Sequence, residues 1–512
     1  MGRLRRMNAP VSGNYLRREL RLFAILVAEI IALNILWTPV NLDFAHFAFC
    51  DSGANLSVQY LIAHGYRPGR DFAYPYGLLP ILLGRIWFFF FGLTPIAYQA
   101  LLIICECIMA FAIARVAAAL QFGRAAITIL LAALWIAIQT SYPATAHVAE
   151  AMLLCLALAE QSAGRRSRAL AFACAAIFAK PSMGYFYSFL LVAIAAHQAR
   201  RAFSLRHFLT NLMPAAATAL VLGAILSFIY GFIDLMHTVI PAAGAGNYRA
   251  MHYGFFTGIG SDFWRQPGSS WTHYLFDVSG FWLAATVFLG GAAAIAASRL
   301  WKDTGSSNSE ATRRSEIVLT CFILHASFVC LFFGNQWSWI YYSYFLVVGV
   351  AAASEFGSIS RGFVSALCLL SALAWLRITL AVLHVWSIED PSPLTAKLWA
   401  RPNQTAEWHQ VLNRVHGRSA IVLDSKGAVE LLFPQFNPPV SSALDPGLMP
   451  PREIARKVAQ ISSSEMVLVP MGIDTCGGVP NVPEIRAAMI PFEPVFIGHY
   501  FELYLRTPAP IR

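Results

Sequence analysis

The residues best suited to do chemistry in this chain lie in one stretch, residues 43–80. It carries three carboxylates (Asp43, Asp51, Asp71), two arginines (Arg67, Arg70) and two histidines (His46, His64). The stretch follows directly on an apolar segment, so it emerges beside a membrane. A carboxylate there can act as a general base, taking a proton from a hydroxyl or amine as it attacks an activated sugar carbon. Asp51 is the first candidate. It opens Asp51-Ser52-Gly53 ahead of apolar residues at helical spacing, Leu56, Val58, Tyr60 and Leu61. The same position suits a helix N-cap, which aspartate favours. Asp43, one turn past the membrane exit, is the fallback base. Asp71 sits in a turn, where it either assists or pairs with Arg67 or Arg70.

Further along, His147 and Glu150 stand three residues apart and share a helix face. Ionisable side chains just inside an apolar span are costly without a partner, so the pair has a structural or a catalytic task. Lys180 lies in Phe178-Ala179-Lys180-Pro181-Ser182-Met183-Gly184, between two apolar runs. Proline and glycine break the helix there and free backbone N–H groups. An ammonium beside free N–H groups suits a phosphate; snorkelling to the interface is the plainer reading. Arg377, in the last span, could reach a phosphate at the outer leaflet. Arg249, His252 and Arg265 stand among Tyr248, Tyr253, Trp264 and Trp271, a mixture that suits a sugar or a lipid head group. Aromatics also favour any membrane interface, and that reading extends to Trp337, Trp339, Tyr341, Tyr342 and Tyr344. Glu29 and Glu106 are mid-span acids with no evident partner.

The elements that must position these groups follow from composition. The chain has 512 residues, 57% hydrophobic and 12% charged, against about 25% charged in a soluble domain. It is therefore expected to be an all-α polytopic membrane bundle. The net charge of +10 speaks for orientation and not for nucleic acid. The N-terminal arginines precede the first apolar run, which has no small-residue cleavage site and reads as an uncleaved anchor. Spans are expected at about 22–38, 96–120, 125–140, 146–160, 169–179, 185–197, 208–230, 280–297, 317–333, 340–353 and 362–384. Residues 52–64 and 76–91 are expected as interfacial helices in the first outer loop. With 76–91 not crossing, about eleven spans put every basic cluster on the cytoplasmic side, including Arg165, Arg166 and Arg168. The transmembrane domain is then residues 1–384. Residues 385–512 alternate helix-like and strand-like runs and end in a hairpin pattern. They predict a small extracytoplasmic α/β domain. Most of the nine cysteines sit in apolar runs and have no metal spacing; Cys50 and Cys476, both outside, could form a disulfide.

The run Asp51-Ser52-Gly53, then Gly65-Tyr66-Arg67-Pro68-Gly69-Arg70-Asp71-Phe72, then Tyr74-Pro75-Tyr76-Gly77 resembles the first extracytoplasmic loop of the glycosyltransferase C superfamily. That group includes the protein mannosyltransferases and the lipid A aminoarabinose transferases. The chain departs from it at Ser52, Gly69 and Leu78, where many relatives have Glu, Tyr and Pro. The resemblance extends to the layout of spans and tail. It implies a bacterial inner-membrane enzyme with a cytoplasmic N-terminus, a periplasmic C-terminal domain and a polyprenyl-phosphate-linked sugar as donor. The acceptor would be a lipid, glycan or protein. It also implies a second acidic position where Glu150 stands and a lysine holding the lipid phosphate where Lys180 stands. Arg67, Arg70, Tyr74, Tyr76 and His147 are the further candidate substrate contacts. There is no P-loop, HExxH or GxSxG, and no DxD of metal-dependent nucleotide-sugar enzymes. No cofactor is expected, although a divalent metal is compatible with the chemistry. The rival readings are a transporter or lipid flippase, and a non-catalytic relative serving envelope assembly.

Overall fold

The computed structural model describes residues 13–72, 74, 76–139, 145–202, 205–240, 310–331, 342–356, 361–423, 427–441, 449–471 and 482–507. The expected span at 280–297 and Arg249 lie outside the described residues, as does the side chain of Asp51.

The chain enters through α1 (Gly13–Leu36) and the short α2 (Thr38–Asn41), α3 (Phe44–Phe49), α4 (Asp51–Ala63) and α5 (Leu79–Phe91). The bundle continues with α6 (Pro95–Ala119), α7 (Arg124–Gln139), α8 (Thr145–Ser162), α9 (Arg166–Ile177), α10 (Pro181–Ala202), α11 (Leu205–Tyr230) and α12 (Phe232–Val239). After the undescribed stretch come α13 (Glu310–Leu331), α14 (Ser343–Ser354) and α15 (Arg361–Ile388). Every described segment expected as a span coincides with one of these helices. Their bounds follow from ordinary signals, such as proline in the first turn of α5, α6 and α10, where the missing N–H costs nothing.

Among the described residues, three helices are long and apolar enough to cross a membrane, at Pro95–Ala119, Leu209–Tyr230 and Ser371–Ile388, and four shorter ones are also apolar. One end of the bundle is laced by ion pairs. Arg115 lies 3.5 Å from Glu160 and 3.8 Å from Glu19, Arg165 is 2.5 Å from Glu160, and Arg166 is 2.5 Å from Glu316. These residues come from one end each of α1, α6, α8, α9 and α13, so the helices run alternately up and down. Glu106, read from sequence as lacking a partner, accepts a hydrogen bond from Asn34 Nδ2 at 2.8 Å. The mid-span acid is held by an amide on the neighbouring helix, a pairing that hydropathy cannot display.

The tail contains α16 (Pro402–Val415), α17 (Val429–Leu432), α18 (Pro451–Ser463) and α19 (Pro483–Met489). Its main sheet has the order β3 (Ala420–Val422), β4 (Met466–Pro470), β6 (Phe501–Arg506), β5 (Phe492–Ile497). β3 and β4 pair in parallel; the other two pairings are antiparallel. A two-stranded ribbon, β1 (Asp390–Pro391) with β2 (Trp399–Ala400), connects it to α15.

The first part of the loop packs into the tail, while α5 leaves Ile86, Phe89, Phe90 and Phe91 exposed. Phe44, Phe47 and Phe49 of α3 are fully buried in the same core as Trp408 and Phe501 of the tail. The ring of Phe44 is 5.4 Å from that of Trp408, and Phe49 is 5.3 Å from Phe501. Both helices bond to the tail: Ser57 Oγ of α4 donates to Gly427 O at 2.6 Å, and Phe47 O of α3 accepts from Ala428 N at 2.9 Å. Gly53 makes this approach feasible, since a Cβ there would stand 1.8 Å from Phe47 O and 2.6 Å from Ala428 N. Loop and tail thus share one core. Cys50, between α3 and α4, is disulfide-bonded, which fits an oxidising compartment.

Candidate active site

The candidate site forms where the first loop meets the start of α8, the α9–α10 turn and the residue before α14. α9 ends at Ile177, and Lys180 N still donates to Ala176 O at 2.9 Å before Pro181 opens α10. The loop is tied to this turn by two backbone bonds, Gly77 N to Ala179 O and Leu79 N to Phe178 O, both 2.9 Å. Gly77 has no alternative here: a Cβ would stand 2.0 Å from Phe178 O. That docking carries the Tyr74–Tyr76 segment over Lys180.

Lys180 is 4% exposed. Its Nζ lies 3.0 Å from His147 Nδ1 and 3.4 Å from Nε2. An ammonium only donates, so Nδ1 accepts, and His147 is neutral in this arrangement. The Nζ also lies 6.0 Å from the ring centre of Tyr76 and 5.8 Å from that of Tyr342, within cation–π range. Tyr76 meets the His147 imidazole edge-on at 5.4 Å and Tyr74 at 5.6 Å.

Glu150, one turn beyond His147 in α8, is fully buried. The Tyr342 hydroxyl donates to its Oε2. The N–H groups of Met183 and Gly184, in the first turn of α10, face the same carboxylate, and Lys180 acts on it through space. A helix N-terminus favours negative charge. Oε1 is buried without a hydrogen-bond partner of good geometry. A lysine, a carboxyl group and a phenol are therefore held together away from water, where their fields are weakly screened. Such an arrangement can hold a charged group and stabilise charge that develops on it.

Of the sequence candidates, Lys180, His147, Glu150, Tyr74 and Tyr76 come together here. Asp51 opens α4. Asp43 caps α3, its Oδ1 accepting from His46 N at 2.7 Å. Asp71 closes a turn by accepting from Arg67 N at 2.9 Å, and lies 3.7 Å from Arg70 and 3.6 Å from Arg452 of α18. The guanidinium of Arg456 donates to the Asp71 carbonyl and packs 4.8 Å from the Tyr66 ring centre. Asp71 and its arginines thus form a clasp between loop and tail. Arg377 is on an exposed face of α15, which packs on α7 and α2, and is not brought to Lys180. Tyr342, seen in the sequence only as one of several interfacial aromatics, is the group that completes the site; nothing local in the chain marks it.

Among the described residues, no group of three His, Cys, Asp or Glu side chains is placed to hold a metal ion. A cleft between α4 and α5, lined by Asn55, Gln59 and Tyr74, encloses about 10 Å³, room for about one water.

No family model and no curated protein matches the chain. Among solved structures it is similar to ArnT from Cupriavidus metallidurans bound to undecaprenyl phosphate. The identity is 13% and the TM-score 0.49, over 94% of this chain and 99% of that one. It is also similar to the apo state of the same protein, at 12% identity and a TM-score of 0.41 over the same shares.

Proposed function

We propose that the chain is a multi-pass inner-membrane glycosyltransferase that moves one sugar from a polyprenyl-phosphate donor to an acceptor on the extracytoplasmic side. The observation that carries this reading is the buried Lys180 ammonium, held by His147 between Tyr76 and Tyr342 and clamped by the first loop. A membrane-embedded phosphate needs a fixed positive charge, and Lys180 supplies one without a flexible arm.

The step is a displacement at the anomeric carbon. An acceptor oxygen or nitrogen attacks, the bond from carbon to phosphate oxygen breaks, and the electron pair leaves with the lipid phosphate. Lys180 stabilises the negative charge that grows on that phosphate. The acceptor's proton passes to Asp51, the proposed base, at the start of α4. Glu150 sets the charge of the pocket and orients Tyr342. Attack opposite the leaving group inverts the sugar centre. On this reading the N-terminus is cytoplasmic, the tail is extracytoplasmic, residues 76–91 do not cross, and eleven spans surround the site.

The test is turnover of a labelled polyprenyl-phosphate sugar by the purified protein in nanodiscs. Release of lipid phosphate that is abolished in Lys180→Ala and Asp51→Asn supports the proposal. Turnover retained in Asp51→Asn moves the base role to another carboxylate. Solute movement without covalent product replaces the proposal with a transporter.

A further inference from the structure

A second cleft, apolar-walled with a line of amides, lies between the facing turns of α1, α2 and α6. It encloses about 170 Å³ and shares no residue with the Lys180 site. At about 10–15 Å³ of such space per water, that is room for several waters or for a small hydroxylated ring.

The cleft is built from a chain of amides. Asn34, 5% exposed, donates to Glu106 Oε2 at 2.8 Å and to Ile30 O at 3.0 Å. Its Oδ1 accepts from Asn41 Nδ2 at 3.0 Å and from Gln99 Nε2 at 3.2 Å. Asn41 and Gln99 each spend one N–H on Asn34, which leaves each a second N–H and a carbonyl. Donor and acceptor side by side suit a hydroxyl. No lysine or arginine lines the cleft, and a carboxylate stands behind Asn34, so a phosphate is disfavoured. Ile35 is 64% exposed and Ile31 45%; with the half-buried Ile103 they flank the amides with an apolar surface. Amides facing hydrocarbon without partners are costly, and these stand at the end of α1 that leads into the first loop.

We infer that this cleft binds the neutral, hydroxyl-bearing head of a membrane lipid whose chains lie along Ile31, Ile35 and Ile103. The test is photo-crosslinking of the full chain in nanodiscs with a diazirine-tagged monoglucosyl diacylglycerol. Label is expected in peptides covering 31–42 and 99–104. Excess unlabelled glycolipid competes it away, whereas phosphatidylglycerol and free glucose do not. The double variant Asn41→Leu, Gln99→Leu should lose about fivefold of the label, and Gln99→Glu, which keeps the size, should lose it too. Equal labelling by tagged phosphatidylglycerol, competition by free glucose, or label spread evenly over the lipid-facing helices overturns the inference. The wild-type competition decides even if a variant fails to fold.

Discussion

Lys180 Nζ sits 3.0 Å from His147 Nδ1, a cation directed by a neutral ring and not cancelled by it. The proposed mechanism therefore makes Lys180→Ala the most damaging single change. Loss of one preorganised donor typically costs about 10²–10³ in turnover. His147→Asn keeps an acceptor for the ammonium and should retain more activity than His147→Ala. Single-turnover release of lipid phosphate measures both.

Tyr342→Phe removes the phenol that donates to Glu150. A buried carboxylate that loses a donor costs about 1–3 kcal/mol. The variant should melt earlier than wild type and turn over more slowly. Tyr344→Phe, whose hydroxyl is buried without a hydrogen-bond partner, should lose less stability. Thermal unfolding in nanodiscs separates the two.

Gly77→Ala should be far worse than Gly92→Ala. At Gly77 a Cβ would stand 2.0 Å from a backbone carbonyl that cannot step aside, whereas Gly92 has φ +77° but open space around it. The second change meets the strain of a backbone region essentially reserved for glycine (ψ 159°), on the order of 1–3 kcal/mol; the first also undocks the loop from Lys180. Comparing melting temperature and turnover for the pair checks this.

Phe44→Ala removes a ring buried between Trp408 and Phe501. Such truncations cost about 3–5 kcal/mol. Because the ring belongs to the first loop, limited proteolysis should show the tail becoming sensitive although no tail residue has changed. A tail that stays protected would contradict the shared core.

Glu430 and Lys457 are a buried pair in the tail, 3.4 Å apart. Burial pushes Glu430 above its usual range, with Lys457 opposing. A raised folded-state pKa means that its contribution to stability is full below the unfolded pKa and is lost as pH rises through the folded one. The difference in Tm between wild type and Glu430→Gln should therefore favour wild type most at acidic pH and decline as pH rises past the ordinary carboxylate range. A difference that grows with pH would reverse the sign.

Much of this protein is written locally. Hydropathy and basic residues located the helices, since a membrane helix needs an apolar run whatever its neighbours do. Turn residues and alternation located β3–β6 in the tail. Lys180, His147 and Glu150 were visible as charges that apolar segments would not otherwise carry. Tertiary structure decided what joins them. Tyr342 meets Glu150 from 192 positions away in sequence, and Phe44 enters the core of the tail. Asp43 and Asp71 resemble Asp51 in sequence, yet the fold uses one as a helix cap and the other in a clasp. A carboxylate's role depends on which donors surround it, and those donors come from segments that only folding brings together.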